Sequence, residues 1–235
     1  MCLELQDSSQ NKLSSDSYSS FVSQALSTAR TNTAIFVNKN FSGTLKPTTL
    51  TRTLSVASLR SPRDRPMTTP TTDRSHHIFM PYFGGSDGRV ALRLLLQLAE
   101  NPEITATIVF YPGTAEDSSS QDPTGPAHLH RTFSTEDDAA FYMTMQRSLD
   151  QEIESRILFE TASASSSPSQ DAATRAQTEV GQNPRNAGDI IIVGRNAQPS
   201  QTMSSSSCLG SAANAILGSN VNASLLVIQA RGSGP

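Results

Sequence analysis

The chain has 235 residues, of which 36% are hydrophobic and none is Trp; this allows one or two domains but leaves part of the chain too poor in apolar surface to join a core. Lys and Arg number 18 against 21 Asp and Glu, a net charge of −3 that excludes nucleic acid as a bulk partner. No run approaches the ~18 to 20 apolar residues that span a bilayer, and two cysteines, Cys2 and Cys208, make no disulfide framework and match a reducing cytosol.

The first 17 residues, opening MCLELQDSSQNK, contain neither a signal-peptide apolar region nor an Arg-rich amphipathic presequence, and are expected to be a disordered tail. Residues 18–42 follow as a helix, Phe21 to Ala29, and a strand, Thr33 to Val37. Residues 43–75 then change composition to Thr, Ser, Pro and Arg. Six basic side chains (Lys46, Arg52, Arg60, Arg63, Arg65, Arg74) stand there against Asp64 and Asp73, a net charge of +4 that leaves −7 on the rest. So few large apolar groups do not offset the entropy of ordering, so this segment reads as a disordered linker.

Residues 76–231 read as one module. Ile78 to Phe83 is apolar and aromatic, Gly84-Gly85 breaks it, and Ser86 or Asp87 is placed to cap a helix. In that helix Arg89, Arg93, Gln97 and Glu100 fall on one stripe among Leu, Val and Ala, the pattern of a mostly buried helix with one solvated polar face. Asn101-Pro102 ends it, and Ile104 to Tyr111 is a second β-branched run. Strand, glycine turn, helix and strand within about 35 residues make a βαβ unit, the building block of a parallel sheet.

The alternation continues. Ser134-Thr135-Glu136-Asp137 has the form of a capping box, and Phe141, Met145, Leu149 and Ile153 recur every four residues, a buried helical stripe. Ile157 to Phe159 is a third strand, Ala172 to Val180 a helix, Asp189 to Val193 a fourth strand, Leu209 to Leu217 a helix and Leu225 to Gln229 a fifth strand. Five strands joined by four helices predict an α/β fold, a parallel sheet covered on both faces. Ile78 to Phe83 and Ile190 to Val193 are expected as adjacent central strands where the strand order reverses. Residues 114–127 and 161–170, rich in Ser, Pro and Gly, read as loop insertions.

Three stretches carry a family resemblance. IFMPYFGGSDGRVALRLLLQLAENP resembles the opening of the last cytosolic module in fungal and plant monovalent cation/H+ exchangers of the CHX type, GDIIIVGRN resembles that family's D-hydrophobic-VGR strand, and ASLLVIQAR its final strand. The match covers roughly residues 18–231, with the serine-rich inserts unmatched. It implies a universal-stress-protein-like, Rossmann-like module of regulatory role in K+(Na+)/H+ exchange and cation and pH homeostasis, on the cytosolic face of a membrane. The implied partners are the transmembrane exchanger domain and kinases, with homodimerisation open; the transport chemistry belongs to membrane helices outside this stretch. These exchangers resemble two such modules in tandem, and ALSTARTNTAIFVNKNF echoes ILGSNVNASLLVIQAR. On that reading residues 18–42 are the end of a first, truncated module. The alternative, from another class, is a free-standing universal-stress-type protein that binds a nucleotide or dimerises through an edge strand.

Universal-stress folds that bind ATP hold the nucleoside with an Asp at the end of the first strand and the phosphates with a G-x2-G-x9-G-[ST] element. The resemblance therefore places a nucleotide or anion site at Gly85, Ser86, Gly194, Arg195, Gly210 and Ser211. Gly84 stands where the Asp is expected, Ala197 replaces the second glycine, and twelve residues separate Ala197 from Gly210. These departures argue for a vestigial site, with no cofactor and no tight ATP binding. The bland reading of the glycines is turns and close helix packing. Arg52-Thr53-Leu54-Ser55, Ser61-Pro62 and Thr69-Pro70 resemble kinase acceptors at Ser55, Ser61 and Thr69, beside the alternative of solubilising linker serines.

Enzyme readings have less support. His76, His77, His128 and His130 lack Cys or acidic partners at metal-ligand spacing and read as solvated loop histidines. No G-x-S-x-G elbow occurs. Asp137-Asp138 fits a helix start better than a pair of acid/base carboxylates, and Cys208 reads as a structural or incidental thiol. The expectation is a protein without catalytic activity or a metal site.

Overall fold

The structure, a computed structural model, describes residues 2–6, 16–39, 76–112, 135–180, 189–196, 208–219 and 221–231. The elements are β1 (Cys2–Gln6), α1 (Asp16–Thr28), β2 (Thr33–Asn38), β3 (His76–Tyr82), α2 (Gly85–Leu98), β4 (Ile104–Phe110), α3 (Thr135–Arg147), α4 (Gln151–Glu154), β5 (Ile157–Thr161), α5 (Pro168–Glu179), β6 (Ile190–Gly194), α6 (Ser211–Gly218) and β7 (Ser224–Gln229). The expected linker at 43–75 and the insertion at 114–127 lie outside the described residues.

One mostly parallel sheet runs β1-β2-β7-β6-β3-β4-β5. The five strands of residues 76–231 are mutually parallel, and β3 and β6 are central neighbours at the reversal of strand order, as the βαβ pattern predicts. The count of five is a correction. β2 joins the sheet antiparallel to β7, giving six strands from Thr33 to Gln229, and β1 pairs parallel with β2 as a seventh. Residues 2–6 therefore belong to the sheet and not to a tail, and α1 begins at Asp16. The reason lies in the backbone: an apolar strand such as TAIFVN leaves one row of N–H and C=O groups to be paired, and even a five-residue strand satisfies them.

Two apolar clusters line the two faces. Phe79, Val109, Ile191, Val193, Leu225 and Val227 meet α1, α5 and α6 through Val22, Leu26, Ala172, Ala176, Ala213 and Ile216. Ile78, Met80, Tyr82, Ile108, Ile192 and Ile228 meet α2 and α3 through Ala91, Leu92, Leu95 and Tyr142. This alternation along each strand is the period-2 signature of a sheet buried on both sides. Tyr142 reaches from α3 to the strands, its hydroxyl 3.1 Å from the Ile108 carbonyl and 2.8 Å from that of Glu160; burial raises its pKa and keeps it protonated as a donor.

The stripe Phe141, Met145, Leu149 and Ile153 packs on the second cluster as its spacing predicts, but not as one helix. The chain breaks near Ser148 to Asp150, and α4 restarts after an extended Asp150. Arg156 then donates to three carbonyls, those of Ala99, Asn101 and Ile104, at 2.8–2.9 Å. A cation thereby satisfies acceptors left open at the end of α2 and its following turn.

Candidate crevice at the strand-order reversal

Of the six residues placed in an anion site, Gly85 and Ser86 open α2, Gly194 ends β6, Arg195 and Gly210 lie in the connection from β6 to α6, and Ser211 opens α6. The β3–β6 ladder pairs only Ile78 with Ile190 and Phe79 with Ile191. Two residues later comes Pro81, which has no N–H to give to a ladder. Beyond it the N-terminus of α2 closes on β6. A Cβ on Gly194 would lie 2.6 Å from the Gly88 nitrogen, so this close approach requires glycine.

α2 begins without the side-chain cap expected from Ser86 or Asp87. Its N-cap is Gly84, at φ 79°, and the carboxylate above the turn comes from α3. Asp138 accepts from the Gly85 N–H at 2.8 Å and from Arg89 Nε at 2.7 Å, with the Tyr82 hydroxyl at 3.4 Å. A Cβ on Gly84 would lie 2.3 Å from Asp138 Oδ2. Asp138 thus fills the space that a side chain at position 84 would enter. The acid beside Gly84 comes from 54 positions later, and it is engaged by three groups of this chain. Asp138 does stand in the first turn of α3, as its helix-start reading expects; what the sequence did not show is that its side chain reaches across to the turn after β3.

Arg89 and Arg93 do not form a merely solvated stripe. The Arg89 side chain is 18% exposed and that of Asp138 9%, and the two guanidinium carbons stand 5.1 and 5.3 Å from the Phe141 ring centre. Cation–π contact joins α2 to α3. Tyr82, pressed against Asp138 and packed with Phe110 and Tyr142, has its pKa raised, first by burial and then by that carboxylate.

Asp87 is the second carboxylate. It is 3% exposed and accepts from the Ala230 N–H at 2.8 Å and the Asn196 N–H at 3.1 Å. The start of α2, the loop after β6 and the end of β7 are pinned together by one side chain. Asn196 is the one described non-glycine residue at positive φ, 40°, a conformation Asn tolerates.

The structure brings Gly194, Arg195, Gly210 and Ser211 together at the β6–α6 turn. Gly210 sits at φ 93°, and a Cβ there would lie 1.9 Å from the Arg195 carbonyl oxygen. The Arg195 side chain, however, points inward. It is 7% exposed and donates to the Cys208 carbonyl at 2.9 Å and to Gln229 Oε1 at 2.6 Å, while Gln229 Nε2 reaches the Leu26 carbonyl at 2.8 Å. Burial lowers its pKa, with the Asp87 carboxylate acting the other way. It joins the turn before α6 to Gln229 of β7, which in turn reaches α1, and it is turned away from solvent. Ser211 is exposed, 3.5 Å from the Ser169 hydroxyl. Gly85 meets the Asn196 side chain, its Cβ position 3.4 Å from Oδ1; Ser86 is half-buried beside it in sequence. The amides of Gly85, Asn196 and Ala230 thus donate to this chain's own carboxylates.

Ser55, Ser61, Thr69, Ala197, His128 and His130 lie outside the described residues. His77 is not a solvated loop histidine: it stands in β3, between two threonine hydroxyls. Sequence reasoning missed the placements of Asp87, Asp138 and His77. The local signal available was an acid or imidazole inside or beside an otherwise apolar run, a position that demands a partner. Among the described residues, no group of three His, Cys, Asp or Glu side chains forms a metal site, and no helix is long and apolar enough to cross a membrane. No protein-family model matches the chain, and comparison with curated protein sequences finds no match.

Proposed function

We propose that this chain is a universal-stress-protein-like cytosolic regulatory region of a monovalent cation/H+ exchanger, without transport or catalysis of its own. The observation that carries the reading is the strand order β1-β2-β7-β6, which is the same from either end. On each side a strand (β1 or β6) leads through a helix (α1 or α6) into the next strand (β2 or β7), and the two units meet antiparallel at β2–β7. Both helices feed the same apolar cluster through Val22, Leu26, Ala213 and Ile216. That arrangement fits two modules joined through their last strands, as the echo between residues 25–41 and 216–231 implies. The alternative of a free-standing protein that dimerises through an edge strand would have to use β1 or β5, because β7 is interior.

The reading makes the ion path a property of a partner or parent domain. It is tested by long-read transcript sequencing coupled to flux measurement. In-frame segments of about 20 apolar residues each should accompany this region, and deletion of residues 76–231 should alter the regulation of K+ or Na+/H+ exchange. A transcript without such segments, and purified chain that binds nucleotide or dimerises, would favour the alternative.

A further inference from the structure

The connection from β5 to α5, residues 162–167, walls a cavity of about 680 Å³ at the carboxyl ends of β4 and β5. It shares no residue with the six placed in an anion site. The connection is anchored at both ends. The Ala162 N–H donates to the Phe110 carbonyl at 2.8 Å, and the Ser167 carbonyl accepts from the N–H groups of Gln170 and Asp171 at 3.0 and 3.1 Å. Between them the Ser165 hydroxyl oxygen accepts from the Ser167 N–H at 3.1 Å, so the chain's own polar groups shape this wall.

Tyr111, the residue after β4, lines the same cavity. Its ring stacks on Phe83 with centres 5.1 Å apart, and the residue is 4% exposed. Among the described residues no group is hydrogen-bonded to its hydroxyl, although a buried hydroxyl without a partner costs free energy. Burial raises its pKa, with Arg175 acting the other way and Asp171 and Glu160 adding to the rise. The phenol therefore keeps its proton at neutral pH, with an oxygen free to accept.

The charges around that hydroxyl select the ligand. α5 presents Asp171 and Arg175 to the cavity, one turn apart. The Arg175 guanidinium pairs with Glu160 and, at 3.4 Å, with Glu179, so two carboxylates already compensate it. Asp171 is exposed, and among the described residues no cation pairs with it. The N-terminus of a helix ordinarily favours anions, but three carboxylates against one guanidinium make this one repel them. A bare metal ion would leave most of the volume to water, and Ala162 and Ala164 add apolar wall. From this geometry we propose that the cavity binds a small organic cation, a protonated alkylamine whose ammonium donates to the Asp171 carboxylate and the Tyr111 hydroxyl oxygen while its methylenes lie against the two alanines. This inference is independent of the exchanger reading.

The test titrates the full chain at neutral pH with putrescine, butanediol and succinate, which share a carbon chain length and are cationic, neutral and anionic. Backbone amide shifts are followed by NMR. Putrescine should give saturable shifts, largest within residues 162–171, with a Kd of about 1 mM or tighter, and the other two should bind at least about tenfold more weakly. Tyr111→Phe, which keeps the ring on Phe83, and Asp171→Asn should each weaken putrescine binding at least about threefold. Glu152→Gln, at an exposed acid on α4, should leave it unchanged. No saturable shift with putrescine, shifts centred elsewhere, or butanediol or succinate binding as tightly would overturn the proposal. So would an affinity unchanged in Tyr111→Phe or in Asp171→Asn, or an equal loss in Glu152→Gln, the mark of general charge attraction. The wild-type series decides even if a variant fails to fold.

Discussion

Replacing Asp87 by Ala should be the most destabilising of the polar substitutions at the crevice. The carboxylate is 3% exposed and holds the Ala230 and Asn196 N–H groups at 2.8 and 3.1 Å. A hydrogen bond to a charged group contributes about 1.5–3 kcal/mol, so two such bonds give about 3–6 kcal/mol. Relief of the carboxylate's own desolvation offsets part of this, and Arg195 loses its nearby negative charge. A net loss of about 3 kcal/mol is expected, a large fraction of the ~5–15 kcal/mol that ordinary domains possess. Urea unfolding of the full chain, followed by circular dichroism, should show a lower midpoint with an unchanged slope. Asp87→Asn keeps one acceptor oxygen and should fall between Ala and wild type. A loss under about 1 kcal/mol for Asp87→Ala would refute the view that this side chain fastens the three loops.

Gly210→Ala forces an L side chain to φ 93° with its Cβ 1.9 Å from the Arg195 carbonyl oxygen; it should cost more than about 2 kcal/mol by the same assay, whereas Met143→Ala, at a side chain half exposed on α3, should stay within about 0.5 kcal/mol. Isothermal titration of the full chain with ATP at micromolar concentrations should give no binding heat; a clear heat that vanished in Gly210→Asp would sink the vestigial-site reading. In the proposed parent exchanger, Ser55, Ser61 and Thr69 changed together to Ala or to Glu should alter flux in opposite senses, since each phosphate would add about −1.5 to −2 charges to a linker at +4. Wild-type flux from both sets would make the linker a spacer.

The sequence by itself determined the five strands of the 76–231 module and most of its helices; α4 was not foreseen, and α5 begins at Pro168, inside the stretch 161–170 read as a loop. Runs such as IFMPYF and IIIVG are apolar at successive positions, short, β-branched or aromatic and bounded by glycine, the pattern of a strand covered on both faces, and the connections between them are long enough for helices. They support a parallel sheet covered on both faces, and the expected central pairing of β3 with β6 is the one the structure shows. The four-residue stripe from Phe141 to Ile153 likewise fixed a buried face, although not the break near Ser148 to Asp150, because a stripe records burial and not backbone continuity. Tertiary structure decided the pairing of β2 with β7 and of β1 with β2. Strand edges are satisfied by backbone groups that every residue has, so no side-chain pattern names the partner. It also decided what Asp87, Asp138 and His77 do. Each is a short-range polar group whose partners come from elements 28 to 143 positions away, and only the folded chain places an α3 carboxylate where the turn after β3 has no side chain.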